Sequence, residues 1–197
     1  MTMRLHELHP TLVHYPIALL PLAVGADLLA RVLNRPSLSD VGRALTSLAT
    51  VGMGVSAAAG LVAQDAVKAE GRAHDLLVTH RNLNVGLFAG TVALALRRRR
   101  REPSLGSLAV GLSGLALMSY TAYLGGKMVY AHGVGVEAAG GFDEAKSPPL
   151  TTGHLGQAVS VAKSNAIQAL KHAGKHLREG EVVPALADGH GAETRSD

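Results

Sequence analysis

The sequence predicts an all-α protein: a four-helix transmembrane bundle, N-out/C-out, with an amphipathic C-terminal helix outside the core. Three observations predict it. Residues 103–126 and 44–63 carry no charged side chain, and a helix of roughly 20 apolar residues crosses a hydrocarbon core of ~30 Å. Residues 82–96 form a third apolar stretch and 11–30 a fourth, the latter interrupted by His14 and Asp27. Finally, Arg31, Arg35, Arg43 and the run Arg97 to Arg101 crowd two of the connections against only Asp27, Asp40 and Glu102. Such an excess of arginine marks cytoplasmic loops.

The helices are expected at about 11–33, 41–63, 76–97 and 104–130. Residues 1–30 read as a retained first helix rather than a cleaved leader, because Arg4 is offset by Glu7 and Asp27 would sit beside any cleavage site. Asp27 lies four residues before Arg31, the spacing of a same-face ion pair. Asn34-Arg35-Pro36-Ser37 ends the first helix, and Ser39 or Asp40 is expected to cap the second. The loop before the third helix is balanced in charge, Lys68, Arg72 and Arg81 against Asp65, Glu70 and Asp75. Pro103 and Ser104 open the fourth helix, Gly125-Gly126 is expected to loosen it, and HGVGV at 132–136 to end it.

Small residues recur within these spans, among them Gly52, Gly54, Gly86-x-x-x-Gly90, Gly111 and Gly114. In lipid, small residues let helix backbones approach closely. Residues 1–140 therefore read as the transmembrane domain and 141–197 as an extracytoplasmic tail. Within the tail, Leu155, Val159, Ala162, Ala166, Leu170, Ala173 and Leu177 recur at helical spacing over about 154–179. That pattern suits a helix on the membrane surface or packed on the bundle. His172 and His176 lie on its polar face, and from about Val183 the composition reads as disordered, His190 included.

Several function classes fall away. The chain has no cysteine, which excludes disulfides, thiolate metal sites and cysteine nucleophiles. The net charge of +4 is concentrated in RRRRR, with no aromatic or base-reading module beside it. Orientation of the chain and contact with anionic lipid account for that run better than nucleic acid does. No Ser-His-Asp order, phosphate-binding glycine loop or carboxylate pair supports hydrolase or transferase chemistry.

The histidines are informative through their placement. His6, His9, His14, His74, His80 and His132 all fall on the side opposite the arginine-rich loops. His14 precedes Arg31 by 17 residues and His80 precedes Arg97 by 17. At 1.5 Å per residue both imidazoles lie about 26 Å from the arginine plane. Two imidazoles at one depth meet the need of a b-type haem for axial ligands. Arg72, Arg81, Lys127 and Tyr130 are candidate partners for its propionates, and Asn82, Asn84 or Asp65 for the second imidazole nitrogen. Zinc or copper held by His9, His14, His80 and His132 with Asp65 or Asp75 is the alternative, as is an interfacial hydrogen-bonding role with no cofactor.

The stretches His9-Pro10, Val13-His14-Tyr15-Pro16, Gly60 to Asp65, His80 and GGKMVYAHGVGV at 125–136 resemble an uncharacterised family of small four-helix bacterial membrane proteins, the domain of unknown function 2231. The resemblance covers about residues 5–137. Tyr15 stands where that family usually has Phe, which adds a hydroxyl close to His14. The resemblance singles out His9, His14, Asp65, His80, Tyr130 and His132, and relatives that look fused to Rieske-type or cytochrome c-like domains imply electron transfer. The expectation is thus an electron carrier or redox-complex subunit of the bacterial cytoplasmic membrane, more than a stand-alone enzyme. Its partners would be the bilayer, a quinone, an extracytoplasmic cytochrome c-like or Rieske-like protein, and further copies or subunits of a larger complex. The metal-binding or accessory subunit is the other expectation.

Overall fold

The computed structural model describes residues 2–187. The element order is α1 (Leu8–Leu12), α2 (His14–Val32), α3 (Pro36–Ala66), α4 (Arg72–Arg98), α5 (Leu105–His132), α6 (Leu155–Arg178) and α7 (Pro184–Ala187), with short 3-10 turns between them. Among the described residues the only β pairing is two isolated bridges, Arg4 with Pro149 and Val67 with Phe142. Three helical stretches are long and apolar enough to cross a membrane: Leu5–Val32, Pro36–Ala66 and Leu105–His132. The long helix α4 is not one of them, since His80-Arg81 and Arg97-Arg98 bracket its uncharged stretch.

Helix ends follow from local chemistry. Asn34 adopts φ 50° and Arg35 N–H donates to the Ala30 carbonyl at 2.9 Å. This left-handed cap closes α2. Pro36 then starts α3, earlier than Ser39 or Asp40, because proline lacks only an N–H that the first turn leaves unbonded. Ser39 is committed elsewhere, its hydroxyl donating to Glu102. Ser104 and Ser107 cap α5 reciprocally: Ser104 N–H donates to Ser107 Oγ at 2.7 Å, and Ser107 N–H to Ser104 Oγ at 3.2 Å. The helix runs unbroken through Gly125-Gly126 to His132, where Gly133 at φ 63° ends it.

The chain divides into two compact units. The second comprises Pro10–Ala57 and Asn84–Tyr120. Its interior mixes small side chains, Ala23, Ala26, Ala30 and Ala49, with Leu20, Val24, Met53, Leu87, Leu94 and Leu108, whereas Leu22, Leu29, Val32, Leu48, Val51 and Leu112 point outward. Large apolar groups can face outward in lipid, where helix association relies on close packing. A Cβ added at Gly111 would lie 2.9 Å from Val24 Cγ2, and one at Gly54 3.4 Å from Phe88. The hydroxyls of Thr46, Thr50 and Thr91 bond the carbonyl four residues earlier, which satisfies them within the helix.

One polar cluster interrupts this apolar unit. Arg98 is 1% exposed and Asp27 6%. Arg98 donates from Nε to Asp27 Oδ2 at 2.9 Å and from Nη2 to Oδ1 at 2.7 Å, with a further bond to the Ser39 carbonyl at 3.0 Å. Arg43 adds a bond to the Arg98 carbonyl and ion pairs to Asp40 and Glu102. Asp27 therefore pairs across helices with Arg98, and the expected same-helix pairing with Arg31 is replaced. Arg98 is buried and fixed by the Ser39 carbonyl as well, so its guanidinium meets both carboxylate oxygens of Asp27 at once.

The first unit comprises the chain up to His9, Ala58–Leu83 and the chain from Thr121. The tail is thus part of the same unit as the ends of α3, α4 and α5. His6 stacks on Phe142 with ring centroids 4.3 Å apart, and its two ring nitrogens meet Ser147 Oγ at 2.6 Å and the Gly135 carbonyl at 3.2 Å. Asn165 of α6 donates to the Val62 and Lys146 carbonyls at 3.2 and 2.9 Å. Ala158, Asn165 and Ala169 form the packed face of α6, while Leu155, Val159, Leu170 and Leu177 are exposed. Residues 183–187, expected to be disordered, include the turn α7: Ala185 is buried, its N–H donates to Thr79 Oγ1 at 3.0 Å, and its carbonyl accepts from Arg72. The rest of the expected disordered end, His190 included, lies outside the described residues.

Candidate functional site

Two of the expected site residues meet in the first unit. The imidazoles of His9 and His80 stand edge to face, with centroids 6.4 Å apart and planes at 87°. Glycines give both rings their room. A Cβ at Gly60 would lie 3.1 Å from His9 Cε1 and Nδ1, and one at Gly125 would lie 3.4 Å from His80 Cε1. A Cβ at Gly60 would require the His9 ring to give by a few tenths of an ångström, whereas one at Gly125 would rest in ordinary contact with His80.

His80 is also oriented by a hydrogen bond. Its Nδ1 lies 2.9 Å from the Thr121 carbonyl. A carbonyl only accepts, so Nδ1 carries the proton and Nε2 the lone pair. This is the tautomer that ligates metal through Nε2. Beside it on α4, Arg81 is 9% exposed, and its Nε donates to Asn82 Oδ1 at 2.9 Å. The Nη1 and Nη2 groups of Arg81 are buried with no hydrogen-bond partner among the described residues. A buried guanidinium in that state is costly and calls for an anion.

The other expected residues are more dispersed. His14 is exposed in the second unit, with Nδ1 3.3 Å from the Thr11 carbonyl, and Tyr15 is exposed beside it. Asp65 forms an ion pair with Lys146 at 3.2 Å. Lys127 lies over the Tyr123 ring at 5.7 Å, Tyr130 is 91% exposed and His132 is exposed at the end of α5. Arg72 holds the Ala185 carbonyl at 3.3 Å. Sequence reasoning did not single out Gly60, Gly125 or Thr121 as parts of a site. Gly60 and Gly125 carry a signal only as the first positions of the stretches 60–65 and 125–136, and Thr121 lies outside both.

These features can now be set beside known proteins. A family model described as "Predicted membrane protein (DUF2231)" matches residues 5–138. The chain belongs to that family. No curated protein and no solved structure matches it. The family match takes in His9, His14, Asp65, His80, Arg81 and the glycine-rich close of α5, and ends before α6. Membership together with three long apolar helices makes this a membrane protein in contact with the bilayer.

Proposed function

We propose that the protein is a four-helix electron-transfer protein of the bacterial cytoplasmic membrane that binds a b-type haem through His80 and His9 on its extracytoplasmic side. The juxtaposition of these two imidazoles carries the reading. The two rings, with centroids 6.4 Å apart, bring two nitrogen donors to one place, and imidazole is a ligand of haem iron. His9 and His80 would hold the iron, and Arg81 would meet the haem propionates, the anions that a buried guanidinium favours. α4 serves as the fourth span in this reading, with both termini and the tail outside and the arginine-rich connections inside. Electrons would pass from a quinone or other membrane donor to an extracytoplasmic acceptor, cytochrome c-like or Rieske-like. His14 is the ligand that matched depth alone favours, and His9 replaces it here because His9 is the ring against His80. Purified in detergent from a haem-replete host, the protein is expected to contain iron and protohaem at about one per chain. Zinc or copper in place of iron would move the site to simple metal binding.

A second reading, an accessory subunit of a larger complex, has its own support. Among the described residues a Cβ at Gly86 or at Gly90 would meet nothing within 4 Å, so the small-residue stripe of α4 is open within its unit. Such stripes pack helices of separate chains in lipid. A protein free of both haem and metal that runs as a stable oligomer or co-purifies with a redox complex would favour this role.

A further inference from the structure

At the far end of α6 a second group of ligand-type side chains converges, outside the family-matched region apart from one member. His176 of α6, Glu179 and Glu181 place one ligand atom each within 4.8 Å of one another. His74, in the first turn of α4, brings its ring to 5.1 Å from that of His176, centroid to centroid. With a ring nitrogen about 2 Å from the ion and the ring centroid about 3 Å away, two imidazoles on one tetrahedral ion stand about 5 Å apart. His176 Nδ1 is hydrogen-bonded to Glu181, and Asp75 lies 3.9 Å from His74 Nδ1. Lys175, 3.8 Å from Glu179, is the only cation paired with this group among the described residues.

We propose that His74, His176, Glu179 and Glu181 form a binding site for one divalent transition-metal ion, Zn²⁺ above all, that clamps the tail to the start of α4. Two imidazoles and two carboxylates are a donor set that zinc accepts in tetrahedral geometry. Asp75 serves as the outer carboxylate that orients the His74 ring. The consequence is mechanical. Immediately after the cluster the chain is held to α4 by Asn82, which donates to the Val182 carbonyl at 2.6 Å, and by the Thr79 and Arg72 bonds to Ala185. An ion bridging α4 and α6 stabilises that docking by its own binding free energy. The clamp is independent of the haem reading, since it shares no ligand with His9 or His80.

The test is zinc titration of the full chain in detergent, after chelator dialysis, by calorimetry and elemental analysis. One tightly held zinc per chain is expected. Glu181→Gln, an exposed substitution that leaves the fold intact, is expected to weaken it at least tenfold, as is His176→Ala, whereas His172→Ala and His9→Ala leave it unchanged. Zinc is also expected to slow proteolysis of the chain after residue 178 in wild type and not in Glu181→Gln. Absence of zinc binding, or binding that survives Glu181→Gln and His176→Ala and is lost in His9→Ala, would overturn the proposal.

Discussion

Asp27 and Arg98, 71 residues apart, share a buried two-pronged contact, Nε to Oδ2 at 2.9 Å and Nη2 to Oδ1 at 2.7 Å. Breaking such a pair from one side leaves a charge buried and uncompensated, at a cost of about 3–5 kcal/mol. Asp27→Asn is therefore expected to lower the thermal midpoint in detergent markedly. The double variant Asp27→Asn/Arg98→Met, which removes both charges, should recover most of the loss. Equal loss in single and double variants would show that the pair contributes no such coupling.

Close approach at the same contact gives a sharper contrast. A Cβ at Gly42 would overlap the Asp27 carboxylate, whereas one at Gly25 would meet nothing within 4 Å. Gly42→Ala is expected to destabilise as Asp27→Asn does, and Gly25→Ala to be neutral within about 0.5 kcal/mol. Parallel melting curves check both.

Asn165 ties α6 to the carbonyls of Val62 and Lys146. Removing its amide deletes two part-buried hydrogen bonds, each of which contributes about 0.5–1.5 kcal/mol. Asn165→Ala should release the tail, read as faster proteolysis between residues 147 and 187 with the apolar helices still protected. An unchanged cleavage rate would mean that α6 is held by other contacts.

Much of this architecture is legible in sequence because helices in lipid announce themselves through composition. The expected helix at 41–63 extends to Pro36–Ala66, and the tail helix at about 154–179 is Leu155–Arg178. What escapes is anything set by partners far apart in the chain. Asp27 has a plausible neighbour in Arg31, yet packing delivers Arg98. Counting depth from Arg31 along α2 ranks His14 first, and only the side-chain packing shows that His9, of α1, stands beside His80. Gly125 reads as a helix breaker in sequence and serves instead as the face on which His80 rests.

Orientation has its own check. The proposed arrangement of four spans with both termini outside predicts that a periplasmically active reporter fused after the last residue is active and a cytoplasm-only reporter silent. The reverse result would place the histidines on the cytoplasmic side and remove the extracytoplasmic acceptor from the account.

The central claim is that His9 and His80 hold a haem iron, and a reduced-minus-oxidised visible spectrum of the detergent-purified protein tests it most directly. A sharp α-band of b-type character is expected in wild type and in His14→Ala, and its loss in His80→Ala and His9→Ala. A featureless wild-type spectrum from a haem-replete host, or a band that persists in His80→Ala, would contradict it.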